Sequence, residues 1–132
     1  MKKWIRVMLI GLMTLGLVAC GNKSQTETGK DKLDEIKERG YLLVGTEGTY
    51  APNSYHDADN KLVGFDVEVA ATIAKHLGVE VKYVETERTT IFAELDAGQI
   101  DVVVNAVGYR EERADKYDFT EPYAFVQGGI LV

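Results

Sequence analysis

The sequence predicts an α/β fold, a mostly parallel sheet flanked by helices, and three observations carry that expectation. From Asp31 onward, short strand-like runs alternate with helical ones. The runs Tyr41–Gly45 and Ile100–Val104 read as apolar strands, the pattern of strands covered on both faces of a parallel sheet. Three of the helical runs are closed by glycines, Gly40, Gly78 and Gly98, the residue that most readily adopts the left-handed conformation ending a helix. Parallel strands need crossovers, which the intervening helices supply as βαβ units.

The first element is not part of that fold. Residues 1–19 open with Lys2, Lys3 and Arg6, run through an apolar stretch from Val7 to Val18 and end in Leu17-Val18-Ala19-Cys20-Gly21. That order of charge, apolar run and small residues is the order of a secretory signal. The alternative is an uncleaved anchor helix, for which the run is short and soon interrupted. Leu17-Val18-Ala19-Cys20 resembles a bacterial lipobox, which implies that the Cys20 thiol takes diacylglycerol and becomes the mature N-terminus. Residues 21–30 have no aliphatic side chain and no periodicity, and are expected to tether lipid to domain.

Leu33–Arg39 is a short amphipathic helix and Tyr41–Gly45 a buried strand. Glu47–Asn60 is rich in Gly, Pro, Asn and Asp and reads as a loop. Val67, Ala70, Ala71, Ala74 and Leu77 recur at three- and four-residue spacing, so 66–77 is a helix, with Asp66 and Glu68 suited to its N-terminal end. Val79–Val84 alternates as a strand. Thr90–Ala97 is a helix with Ile91, Phe92 and Leu95, Ile100–Val104 a strand, Glu111–Tyr117 a short helix and Ala124–Val132 a last apolar strand.

Composition narrows the function. The leader holds three of the 15 basic residues and none of the 21 acidic ones, so its removal takes the net charge from −6 to −9, which argues against nucleic acid as a partner. Cys20 is the only cysteine, so no disulfide forms within the mature chain and no cysteine cluster holds a metal. His56 and His76 read as separate surface histidines, and Asp57 and Asp59 as a solvated turn, because the rest of a calcium loop is missing. With no Walker loop and no nucleophile elbow, neither catalysis nor a cofactor is expected.

In parallel sheets ligands bind at the carboxyl ends of the strands, which selects the loops Thr46–Tyr55 and Asn105–Tyr109. The second runs Asn105-Ala106-Val107-Gly108-Tyr109 into a helix start, where unpaired N–H groups can take a carboxylate. Arg113 lies about one turn in. It is either a carboxylate fork or a surface partner of Glu112 or Asp115. Glu47 is either a ligand contact or a solvated acid, and Tyr50 either an aromatic wall or a residue packing on its own turn.

Gly64-Phe65-Asp66-Val67-Glu68-Val69-Ala70-Ala71-Thr72-Ile73-Ala74, Gly45-Thr46-Glu47-Gly48-Thr49-Tyr50-Ala51-Pro52, the run Ala97–Val104, and Glu111-Glu112-Arg113 followed by Tyr117-Asp118-Phe119-Thr120-Glu121-Pro122-Tyr123 together resemble the family 3 extracellular solute-binding proteins. The resemblance covers nearly all of the mature chain. It implies a periplasmic-binding-protein-like type II lobe, capture of a polar amino acid for an ABC transporter permease, and residence on the outer face of the cell membrane through the lipid anchor. It makes Arg113, with the Gly108 N–H, the grip on the ligand α-carboxylate. Backbone groups around Asn105, Ala106 and Gly108 would line the amino-acid main chain, and Glu47, Tyr50 and Arg88 would face its side chain. Gly-Thr-Glu-Gly-Thr-Tyr with Asn-x-Val-Gly looks like the cystine-binding branch. That branch commonly has Trp where Arg88 stands and an aromatic where Asn53 stands, and many amino-acid binders carry serines where this chain reads Asn105–Gly108. Family members have two lobes, so residues 31–132 are expected to be an incomplete first lobe with the second missing, marginally stable or prone to associate, and a weak binder alone. Secreted cyclohexadienyl dehydratases share the fold and give an enzyme alternative, for which Glu47 is the one candidate acid. A sensor lobe of a membrane signalling protein is a third reading.

Overall fold

The computed structural model describes residues 31–126. The leader, Cys20, the tether and residues 127–132 of the expected last strand lie outside them. In chain order the elements are α1 (Lys32–Arg39), β1 (Tyr41–Thr46), β2 (Thr49–Tyr50), β3 (Ser54–His56), β4 (Leu62–Val63), α2 (Phe65–Leu77), β5 (Glu80–Glu85), α3 (Ile91–Asp96), β6 (Val102–Val103) and α4 (Glu111–Ala114).

β1 is the central strand of a parallel sheet ordered β5-β1-β6. It pairs with β5 from Tyr41 opposite Glu80 to Thr46 opposite Glu85, and with β6 at Val44 and Gly45. Alternation along β1 sends its side chains to two faces. Leu42 and Val44 join Ile36, Ala70, Ala74 and Val104 in one buried cluster, with Val69, Ile73, Leu77, Val81 and Tyr83 packed against it. Ala70 and Ala74 lie one turn apart, and their small side chains let α2 sit close on the sheet. Tyr83 fastens the two, its hydroxyl donating to the Val67 carbonyl at 2.7 Å. Gly45 faces the other side, where a Cβ would stand 2.4 Å from Ile100 Cδ1 and 3.2 Å from Ile91 Cγ1. Only glycine lets these two buried isoleucines cover the strand. Each such apolar side chain removed from water contributes roughly 1.5–3 kcal/mol.

Four expectations need correction. The segment Glu47–Asn60 is not a plain loop: β2 and β3 pair antiparallel, β4 adds to β3 to make a second three-stranded sheet, and Asp57 closes the β3–β4 turn by accepting the N–H groups of Asp59 and Lys61 at 3.0 and 2.9 Å. The strand expected over Ile100–Val104 is regular only at Val102–Val103, because Asp101 sits inside the apolar run. Its buried carboxylate accepts the Leu43 N–H at 2.8 Å and pairs with Arg39 and, at 3.5 Å, with Lys32, while its own N–H donates to the Leu43 carbonyl at 2.9 Å, so side chain and backbone together tie the start of β6 to β1 and α1. The helix expected to Tyr117 ends at Ala114. Residues 124–126 are not strand, and Phe125 and Val126 are exposed.

Candidate functional site

Three loops meet at the carboxyl end of the parallel sheet, one after each strand, and Asn105 ties two of them together. It follows β6, is 1% exposed, and answers the start of the loop after β1 atom for atom. Its Nδ2 donates to Glu47 Oε2 at 2.7 Å and its Oδ1 accepts the Glu47 N–H at 3.1 Å. The Thr46 and Ser54 hydroxyls reach the same Oδ1 at 3.4 and 3.5 Å, and Ser54 also donates to the Glu47 carbonyl. Arg88, from the loop after β5, donates to Glu47 Oε2 at 3.2 Å and lies over the Tyr50 ring, 5.5 Å from its centroid. Glu47, Tyr50, Arg88 and Asn105 are therefore brought together. The resemblance assigned Asn105 a backbone role, but its side chain is the buried hub of the cluster.

The loop beyond Asn105 is held in an uncommon conformation. Ala106 has φ 45°, a left-handed geometry that costs a non-glycine residue about 1–2 kcal/mol. The Tyr123 hydroxyl lies near the Ala106 backbone and donates to Asp66 Oδ1 at 3.0 Å, while the Tyr123 ring meets Phe65 at 6.0 Å between centroids. Asp66 is 1% exposed in the first turn of α2. A buried carboxylate at a helix start thus anchors the strained loop through a tyrosine more than fifty residues away. The sequence marked Asp66 only as a favourable charge and Tyr123 only as part of a motif.

Burial, and after it the Asp66 carboxylate, raises the Tyr123 phenol above its ordinary value, and burial raises Tyr83 as well. A phenol whose pKa is raised in the fold favours the native state below its unfolded value of about 10 and loses that advantage as pH rises beyond it. Stability is expected to fall above about pH 10, and less steeply in Tyr123→Phe, as read by urea unfolding across pH. At neutral pH the same variant should lose about 1–2 kcal/mol, because a buried carboxylate is left short of a donor.

Arg113 stands in a second cluster. It lies over Phe92 at 5.3 Å, Phe92 packs on Tyr117 at 5.1 Å, and Lys116 reaches Asp96 at 2.6 Å, so α3 and the segment around α4 are joined side to side. Neither Glu112 nor Asp115 pairs with Arg113 among the described residues, which removes the surface-pair reading. Two details differ from expectation. Arg113 Nη1 donates to the Gly108 carbonyl at 3.1 Å, so Gly108 meets the guanidinium through its oxygen, whereas the resemblance assigned it an N–H. And α4 has four residues, too few for peptide dipoles to sum to a strong anion site.

His56 is not the isolated surface histidine expected. Its Nδ1 lies 3.2 Å from the Gly48 carbonyl and its Nε2 3.4 Å from Glu85, and a Cβ on Gly48 would overlap both side chains. Histidine and glutamate close over the loop that carries Glu47. His76 is exposed, with Nδ1 on the Thr72 carbonyl at 2.8 Å. Among the described residues no group of three or more His, Cys, Asp or Glu is placed to hold a metal ion.

Residues 42–132 match the family described as bacterial extracellular solute-binding proteins, family 3. The chain is 48% identical over 118 residues to the L-cystine-binding protein TcyJ of Escherichia coli (strain K12), a match spanning 89% of this chain and 44% of that protein. Among solved structures, the arginine-bound form of domain 1 from TmArgBP is similar at TM-score 0.67 and 41% identity, covering 68% of this chain and 71% of that one. An ancestral cyclohexadienyl dehydratase is similar at TM-score 0.67 and 46% identity, covering 70% of this chain and 39% of that one. The chain belongs to family 3 of the bacterial extracellular solute-binding proteins. Its α/β architecture, a parallel sheet flanked by helices, is the periplasmic-binding-protein type II lobe that the motifs implied. It spans less than half the length of the cystine-binding relative.

Proposed function

We propose that this protein is the substrate-binding lipoprotein of an amino-acid ABC importer, capturing a polar amino acid, cystine or a similar one, outside the membrane and delivering it to the permease. One observation carries the reading: the loops after all three parallel strands converge on Glu47, with Arg88 and Tyr50 beside it and Arg113 oriented by the neighbouring loop. A carboxylate fork on one of these loops and a polar, aromatic-walled cluster on the others suit a zwitterion with a polar side chain. The similarity to a cystine-binding protein supports the same ligand class.

Isothermal titration of the protein with a panel of α-amino acids tests the proposal. Saturable binding is expected, L-cystine among the strongest ligands, and amidation of the α-carboxylate should remove most of it. Arg113→Ala should lose about 2 kcal/mol or more, as truncating one partner of a hydrogen-bonded charge pair generally does. An affinity unchanged in Arg113→Ala returns that residue to a packing role on Phe92.

Anchoring is the second part of the proposal. No helix among the described residues is long and apolar enough to cross a membrane, and the Leu17-Val18-Ala19-Cys20 run supplies a different attachment, diacylglycerol on the Cys20 thiol with residues 21–30 as tether to a domain beginning at 31. Two acyl chains meet the requirement for stable attachment, each buried methylene adding about 0.8 kcal/mol. Expressed in a bacterium, the wild type should take up labelled fatty acid and sediment with membranes, whereas Cys20→Ser should accumulate as unlipidated precursor. Absence of label from the wild type would overturn the anchor.

The dehydratase reading has the likeness to an ancestral cyclohexadienyl dehydratase in its favour. Its one candidate acid, Glu47, already has Oε2 occupied by Asn105 and Arg88. Product formation from prephenate or arogenate would decide for it.

A further inference from the structure

The end of the site that faces the ligand side chain is set by a charge order along Glu47 and Arg88. The Glu47 side chain is 18% exposed and the Arg88 side chain 51%. The carboxylate therefore stands behind, with Asn105 Nδ2 and Arg88 Nη1 both on its Oε2. The guanidinium stands in front, laid on the Tyr50 ring, which is itself exposed. A guanidinium has five N–H donors in a planar fork, and the contact to Glu47 engages one of its nitrogens. A side chain arriving from solvent meets the cation first. The acid, which alone would attract a cationic ligand, is covered and neutralised by its partner.

We infer that Arg88 is the specificity-determining residue of this site: it makes the site accept amino acids whose far end bears a carboxylate and reject those ending in a cation. The inference rests on the amino-acid-binding reading above and narrows it. Acceptable ligands are dicarboxylic amino acids and L-cystine, whose distal half is zwitterionic, with no net positive charge, and presents a second carboxylate to a bidentate fork. L-Arginine would set guanidinium against guanidinium, with the Glu47 carboxylate already held by Arg88 and Asn105. Lysine fails for the same reason.

The test is titration of the wild type and Arg88→Gln with L-cystine, L-glutamate and L-arginine. Arg88 lies on the surface between β5 and α3, and circular dichroism checks that the variant is folded. The wild type is expected to favour L-cystine or L-glutamate over L-arginine by about tenfold or more, and Arg88→Gln, with Glu47 uncovered, to shift that ratio toward L-arginine by about tenfold. Glu47→Gln, which removes the acid and leaves the cation, should keep the preference for a distal carboxylate, and Arg88→Lys should retain part of it. A ratio in Arg88→Gln within about twofold of wild type, or a wild type that prefers L-arginine, overturns the role of Arg88 while leaving amino-acid binding standing. Failure of the wild type to bind any α-amino acid overturns both.

Discussion

Gly64→Ala is expected to destabilise the fold by about 4 kcal/mol, the sum of a backbone term and an overlap term. Gly64 opens α2 at φ 131°, ψ 175°, a region essentially restricted to glycine. A Cβ there would stand 2.3 Å from the Asn53 carbonyl oxygen and 2.8 Å from that of Pro52. These are backbone atoms and cannot rotate away. They also cap the helix. No side chain caps α2, and the Pro52 and Asn53 carbonyls take the open N–H groups of Phe65 and Asp66 at 3.1 and 2.9 Å. A methyl group at Gly64 would push the loop off the helix end, strip its cap and shift Asp66, on which Tyr123 and Ala106 depend. Urea unfolding of wild type and variant measures the loss. A difference below about 1 kcal/mol would mean that the loop yields without strain.

Asn105→Ala should cost about 3 kcal/mol, because several groups lose their partner at once. The Glu47 N–H and carboxylate, with the Thr46 and Ser54 hydroxyls, surround this one amide, and alanine leaves them facing a cavity. Asn105→Asp keeps the shape but replaces a donor by an oxygen beside the Glu47 carboxylate, so it should be no milder. Both losses are readable as a lower unfolding midpoint and as faster amide exchange at Glu47. Unchanged exchange there would show that the loop is held by β2 and β3 instead.

What the sequence by itself determined is the part that follows from periodicity and local stereochemistry. Apolar spacing and closing glycines located β1, α2, β5 and α3 within a residue or two at each end, and Gly78 ends α2 at φ 75°, as a left-handed cap should. The rule that ligands gather at strand carboxyl ends selected the loops that hold Glu47 and Asn105. Tertiary structure decided how those residues are used. The β2–β4 sheet was hidden because strands of two or three residues, embedded in turn residues, are too short to show a period. Asp101 passed for part of an apolar strand because its partners, Arg39 and Leu43, are about sixty residues distant. The same holds for Asn105 with Glu47, for Tyr123 with Asp66, and for His56 between Gly48 and Glu85. A hydrogen bond between residues far apart in the chain leaves no local pattern, since neither partner's neighbours need change for it to form. Burial sets its worth, and burial is a property of the packed molecule: a polar side chain excluded from water must find its partner inside, and the order of Glu47 behind Arg88 exists only once the chain has folded around them.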